Sequence, residues 1–446
     1  MTDTADRPGT DAAPPPPTRG RHRRRPEPSG LVRSWRAAAS RISWGLADQA
    51  VSSLTNVAVG IVVARSLGIV DFGVFGLVWV TYAVIVNVSR GLVTDPLAVR
   101  FSAASRESWR AAAASTAGAA IVVGLAAGGI CLVCGLLIGD ALGSGFIALA
   151  VVLPALLLQD NWRFAFIVGG VTRKAFVNDV VWGVALVPAL LMAGLSGTVW
   201  AYLLAWGASA GVAAAYGCVQ ARIVPRPGRT GAWLRQQRDL GPRYLVENTS
   251  SSGAAQIRLY GVGAVTGLAD VGALRGSELL MGPVLSLLMG LINSTIPEAA
   301  RVLHRAPHKL FRFCLALGVL QASGALVWGA LLLFVLPDAA GEYLLGPIWP
   351  VAAALIVPAT LSVMNASLQT AAAVGLRALG ASRRSMAMQL IGSAFYAVFG
   401  ILGAALAGAA GSVWGIVLAT ALSTCGWWWH LHAGLRDRLA SPQPAA

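Results

Sequence analysis

The sequence predicts an all-α membrane protein of twelve transmembrane helices arranged as two parallel six-helix repeats. Three observations carry this. The 446 residues are 56% hydrophobic and only 12% charged, too little charge to clothe a soluble surface. The apolar residues fall into twelve stretches, each long enough to cross about 30 Å of hydrocarbon. The first and seventh stretches align without a gap at an offset of 199 residues.

Residues 1–41 are rich in Pro and Arg, with Pro14–Pro17 followed by Arg19, Arg21, Arg23, Arg24 and Arg25. They read as a disordered basic tail in water near anionic headgroups, with none of the features of a secretory leader. The stretches are 42–66, 72–97, 111–138, 143–168, 174–195, 198–222, 244–266, 271–297, 310–336, 347–373, 385–405 and 409–432. They divide the chain into an N-terminal lobe (42–222), a connector (223–243), a C-terminal lobe (244–433) and a short tail (434–446). Trp233, Leu234, Arg235, Arg238 and Leu240 give the connector an amphipathic stretch suited to a membrane surface.

Charge alternates from loop to loop. The tail and loops 98–110, 169–174, 223–243, 298–313, 374–384 and 433–446 hold nearly all the Arg and Lys. The opposite loops hold Asp71, Asp140, Asp270, Asp338 and Glu342, with Arg65 the one basic residue near that side. The bias of Arg and Lys toward the inner face places both termini in the cytoplasm and the protein in the cytoplasmic membrane. The same distribution assigns the net charge of +15 to membrane orientation and excludes nucleic acid as a partner. Cys131, Cys134, Cys218, Cys314 and Cys425 all lie in apolar stretches and read as small core residues.

The repeat is visible residue by residue. Asp48 falls on Glu247, Ser52 on Ser251 and Ser53 on Ser252. Gly68-x-x-Asp71-x-Gly73 falls on Gly267-x-x-Asp270-x-Gly272, and Pro96-x-x-x-Arg100 falls on Pro297-x-x-x-Arg301 after a two-residue slip. Six helices per half is even, so the repeats run parallel, an architecture that places a substrate path between the halves.

Ala64-Arg65-Ser66-Leu67-Gly68-Ile69-Val70-Asp71-Phe72-Gly73-Val74-Phe75 resembles the first-hairpin signature of polysaccharide-biosynthesis flippases, of the multidrug/oligosaccharidyl-lipid/polysaccharide exporter superfamily. Gln159-Asp160-x-x-Arg163 and Asn178-Asp179-x-x-Trp182 are similar to the actinobacterial-type branch of that group. The resemblance implies a V-shaped transporter with a central cavity lined by helices 1, 2, 7 and 8. It also implies an undecaprenyl-diphosphate-linked sugar unit as substrate, with glycosyltransferases or a polymerase as pathway partners.

Ten ionisable residues lie in or at the edge of the stretches: Asp48, Arg90, Asp95, Asp160, Arg163, Asp179, Glu247, Arg258, Arg275 and Glu278. An unpaired central charge costs ~2.5–3.5 kcal/mol on insertion scales, so each needs a partner or water. Matching depths along the hairpins suggests Asp48 with Arg90, Arg258 with Glu278, and a structural cluster of Asp160, Arg163 and Asp179. A diphosphate needs bidentate donors that stay charged. This makes Arg90, Arg258 and Arg275 candidate headgroup ligands, with Glu278 beside them and Asn56 among the polar groups that could meet sugar hydroxyls. Arg275, whose nearest acid is Glu278 one turn away, is the strongest of the three. Asp48 and Glu247 are candidates for a coupling proton or sodium ion. Six acids against four bases give the set a net −2, which keeps open a cation-coupled carrier of a non-phosphate substrate.

No nucleotide-binding Gly-x-x-x-x-Gly-Lys-Ser/Thr run, metal cluster or nucleophile–base set is present in the sequence, so no cofactor and no enzymatic role are expected. Arg100–Glu107 lacks the loop pattern of major-facilitator transporters. Three functions follow in order: a lipid-linked glycan flippase, a multidrug-type antiporter of the same fold, and a non-transporting scaffold of a glycan-assembly complex.

Overall fold

The computed structural model describes residues 30–102 and 104–440. Twelve long helices account for most of them. The N-terminal half holds α1 (Gly30–Ser66), α2 (Ile69–Phe101), α3 (Arg106–Ile138), α4 (Asp140–Val168), α5 (Thr172–Ser196) and α6 (Val199–Ala221). After a short connector helix, Thr230–Gln236, come α7 (Gly241–Val265), α8 (Leu268–Arg305) and α9 (Pro307–Val335). A bent outer segment, Asp338–Ala354, leads at 73° into α10 (Ile356–Ala378). The final run, Ser382–Ala440, is broken at Ala407 (φ −151°) and Gly408 (φ 58°) into α11 (382–406) and α12 (409–440).

Eight helices among the described residues are long and apolar enough to cross a membrane, and nine if the bent segment and α10 form one span. This count treats α11 and α12 as one helix and omits α7 and α8. Arg258, with Asn248, Ser250–Ser252 and Gln256, keeps α7 from reading as an apolar span, whereas residues 279–296 of α8 carry no charge and are long enough to cross.

Three expectations are corrected. Residues 30–41, read as disordered tail, are helical and extend α1; Ala37–Ala39, Leu31 and the arginines are good helix formers. The stretch 347–373 is not one straight span, because the chain bends at Leu355. Hydropathy cannot register such a bend, since both arms are equally apolar. The connector helix turns its apolar side to protein rather than to the membrane surface: Trp233 is buried, lies tilted against Phe101 with ring centroids 5.9 Å apart, and donates to the Leu92 carbonyl.

Within the N-terminal half α1 lies along α5, and α2 along α4. The core between them is aromatic, with Trp206 against Trp79 and Tyr82 at centroid distances of 4.7 Å. The two halves meet mainly along α2, which packs on α7 and α8. Lipid is as apolar as leucine, so close van der Waals approach has to drive this contact, and glycines permit it. A methyl group on Gly73 would strike the Leu268 carbonyl oxygen, and one on Gly272 would strike the Ile69 carbonyl oxygen. Gly76 makes room for the Arg275 stem, and Gly91 lets α2 reach the α7 backbone at Leu245.

Gly73 and Gly272 are repeat equivalents, as are Ile69 and Leu268. The reciprocal contact is therefore one contact made twice about a local twofold axis. It shuts the two halves together at the end remote from the chain termini. Arg65, at the end of α1, adds a second clasp there, with its guanidinium 4.2 Å from the Tyr343 ring centre. Toward the other end, α2 relaxes into a π-helical turn at Arg90–Thr94 just before Asp95-Pro96. Proline has no N–H to continue the ladder, and a wider turn absorbs the break.

Candidate functional site

Two clusters of buried charge occupy the two halves. In the N-terminal half Asp48 stands on α1, Arg90 on α2, Gln159, Asp160 and Arg163 on α4, and Asn178 and Asp179 on α5. The Arg90 guanidinium forks onto Asp160, with Nη2 to Oδ1 at 2.6 Å and Nε to Oδ2 at 3.1 Å. Arg163 Nε lies 2.9 Å from Asp48 Oδ2 and 3.3 Å from Asp179 Oδ2. Gln159 Nε2 donates to Asp179 Oδ1 at 2.9 Å, and Asn178 donates to the Ala213 carbonyl at 2.8 Å.

The expected pair of Asp48 with Arg90 is therefore not formed, and Asp160 belongs to Arg90 rather than to the Arg163 group. The reason is packing. Because α1 rests on α5 and α2 on α4, α4 carries a partner to each side, and depth along the α1–α2 hairpin is no guide.

The cluster holds three carboxylates (Asp48, Asp160, Asp179) and two guanidiniums (Arg90, Arg163), one more negative charge than positive. Asp48 and Asp179 are both 1% exposed and share one arginine. Asp48 Oδ1 and Asp179 Oδ2 accept no hydrogen bond among the described residues. Asp179 Oδ2 feels Arg163 only as an ion pair without hydrogen-bond geometry. Two buried carboxylates on one guanidinium in a low dielectric call for a further cation or a proton.

The C-terminal half has the opposite balance. Arg258 of α7 and Arg275 of α8 converge on Glu278, with Nη2 to Oε1 at 2.8 Å and Nη1 to Oε2 at 2.7 Å. Among the described residues two guanidiniums share one carboxylate, leaving one positive charge over. Arg258 is buried at 2% exposure, lies 5.5 Å from the Tyr396 ring centre, and its Nε has no hydrogen-bond partner among the described residues.

Arg258 and Glu278 line a cavity of about 180 Å³ with Ser277, Ser362, Tyr396 and Thr420. That cavity is lined only by residues of the C-terminal half, so Arg258 sits within this lobe. Arg275, packed over Gly76 of α2, is the member of the cluster at the junction of the halves.

Asn56 is half-buried on α1, one residue before Val57, which faces Gly282 of α8. Asn248 of α7 donates to Asp95 of α2 at 2.7 Å, tying the halves near the terminal side. The side chains of Glu247 and Ser250–Ser252 lie outside the described residues. Sequence reasoning passed over Tyr396 and Ser412, which surround Arg258, and over Thr81 and Tyr260, whose hydroxyls meet at 2.7 Å between α2 and α7. A mid-span tyrosine is the signal that marked them, because its hydroxyl needs a buried partner.

No protein-family model matches the chain, and no curated protein matches it. Solved structures do. The chain is similar to the inward-facing conformation of a multidrug resistance MATE family transporter of the MOP superfamily, at TM-score 0.63 and 14% identity over 89% of this chain and 100% of that one. It is similar to the lipid II flippase MurJ in its inward closed conformation, at TM-score 0.67 and 10% identity over 88% of this chain and 87% of that one. An outward-facing MATE family transporter gives TM-score 0.51 at 13% identity over 90% of this chain and 96% of that one. The molecule is thus an all-helical, multi-pass membrane protein. More particularly, its fold is that of the MOP-superfamily transporters, and it matches the inward forms better than the outward one.

Proposed function

We propose that the chain is a flippase that moves a lipid-linked, undecaprenyl-diphosphate-type sugar unit across the cytoplasmic membrane by alternating access, for surface polysaccharide biosynthesis. In this reading the twelve helices all span the bilayer, both termini are cytoplasmic, and the two six-helix lobes rock so that the Gly73–Gly272 contact closes in one state and opens in the other. The observation that carries the proposal is the surplus positive charge on Arg258, Arg275 and Glu278, with Arg275 at the lobe junction. An arginine pair only half neutralised by a carboxylate is a receptor for a diphosphate, whose oxygens outnumber those of Glu278 and carry more charge. The likeness to a lipid II flippase supports the same substrate class. Glycosyltransferases or a polymerase would supply and consume that substrate.

The N-terminal cluster supplies the coupling. Its surplus carboxylate, shared by Asp48 and Asp179, holds a proton or a monovalent cation in one state and releases it in the other. The same observation favours a second reading, a cation-coupled antiporter of small molecules, for which the MATE-like fold is equally suited. A binding assay separates them. Purified protein should bind an undecaprenyl-diphosphate sugar, and the double variant Arg258→Ala, Arg275→Ala should lose that binding. Equal affinity in the two proteins refutes the flippase assignment.

A further inference from the structure

The face that carries the chain termini holds a second cavity, of about 940 Å³, lined by no residue of either charge cluster. It lies in the N-terminal half between the α2–α3 loop, the first turn of α3, the α4–α5 turn and the end of α6. Arg106, Arg110 and Lys174 line it, and among the described residues no acidic one does. The remaining wall is largely apolar and includes Phe101, Trp109, Ile167 and Val171.

The cations are held in place. Helix α6 ends at Arg222 in a left-handed conformation (φ 54°), which leaves its last carbonyls without helical partners. Arg110 donates to the Ala221 and Arg222 carbonyls, and Lys174 donates to the Gln220 carbonyl at 2.8 Å. An arginine has five donors and a lysine three, so both keep donors for a second partner. Arg106 is exposed and makes no ion pair among the described residues. Trp109 is fixed by a 3.0 Å bond to the Ala165 carbonyl, and its ring fills the space a side chain at Gly169 would need.

Capping α6 explains Arg110 and Lys174 but not Arg106, the cavity, or its oily rim. Ile167 and Val171 are 38% and 39% exposed beside the cations. A water-soluble anion has no use for that rim. A phospholipid does, because its phosphate and its first acyl carbons arrive together at this depth. We infer that this pocket binds the headgroup of an anionic phospholipid from the leaflet on the terminal side, with Arg106, Arg110 and Lys174 on the phosphodiester and Ile167 and Val171 against the chains. The site would act as an anchor for the N-terminal half, and it stands whatever the transported molecule proves to be.

The test is native mass spectrometry of the full-length protein released from detergent with phosphatidylglycerol or phosphatidylcholine of matched chains. Arg106→Glu removes the one cation with no structural bond. Arg383→Glu, an exposed site in the other half, makes the same change in net charge and serves as the control. The expected result is preferential retention of phosphatidylglycerol by the wild type and by Arg383→Glu, with retention falling at least about fivefold in Arg106→Glu, the effect of one headgroup charge contact. The inference is overturned by equal retention of the two lipids in the wild type, by equal losses in the two variants, or by millimolar inorganic phosphate displacing the lipid.

Discussion

Gly73 and Gly272 face one another across the two halves, each sitting where the first carbonyl of the partner helix, Leu268 of α8 or Ile69 of α2, leaves no room for a methyl group. They are 199 residues apart, the offset of the repeat, so one pair of residues records both the duplication and the axis about which it folds. The contact also closes the end of the molecule remote from the termini.

Enlarging either glycine should force that end open. Gly73→Val pushes side-chain atoms into backbone, a contact that cannot relax by rotamer change, and overpacking of this kind costs ~1–3 kcal/mol. Spin labels at Val70 and Val265, both exposed, should report a longer or broader distance distribution in the variant than in the wild type. An unchanged distribution would mean that the glycines do not hold the state.

Arg90 and Asp160 form a two-pronged bond inside the N-terminal half, and Asp160 is 6% exposed. Arg90→Ala strands a buried carboxylate and should destabilise the fold by ~3–5 kcal/mol. The paired variant Arg90→Met, Asp160→Leu should recover most of that loss. Thermal unfolding in detergent measures both.

Asp48→Asn removes the surplus negative charge of the N-terminal cluster without removing volume. The fold should survive, since Arg163 retains Asp179. Transport should lose its dependence on an imposed proton or sodium gradient, which flux measurements in liposomes under controlled gradients will show. Retained gradient dependence would place the coupling elsewhere.

On the surface, Arg100 grips Asp239 of the connector at 2.6 Å. A backbone hydrogen bond, and after it the Arg100 charge, holds the Asp239 carboxyl below the usual carboxylate range. A lowered value means the contact stabilises the fold above the unfolded-state value and is lost as pH falls through the folded one. Asp239→Asn should therefore melt slightly earlier than the wild type at neutral pH, and the two curves should merge in strong acid.

Much of this fold was legible because hydropathy, loop charge and the 199-residue offset are independent signals that agree. The repeat pairing of Gly73 with Gly272 was visible as two turn glycines. That they touch was not, because equivalence in sequence says nothing about distance. The bend at Leu355 escaped for a different reason, as both arms are apolar. In the site, depth matching placed Arg258 beside Glu278, since α7 and α8 are consecutive helices with a short turn. It failed for Asp48 and Arg90, whose helices are neighbours in sequence but pack on α5 and α4. The motif residues Gln159 and Asn178 marked the N-terminal network without revealing their partners, which lie on Asp179 and at the α6 backbone.

The central claim is that a diphosphate-linked sugar crosses the membrane with Arg275 as its ligand at the lobe junction. Translocation of a fluorescent undecaprenyl-diphosphate sugar in proteoliposomes tests it most directly. The account predicts transfer by the wild type and a fall of roughly tenfold or more in Arg275→Ala, the loss of one charge-assisted bidentate contact. Wild-type liposomes that export cationic dyes and leave the lipid-linked sugar in its original leaflet would contradict it.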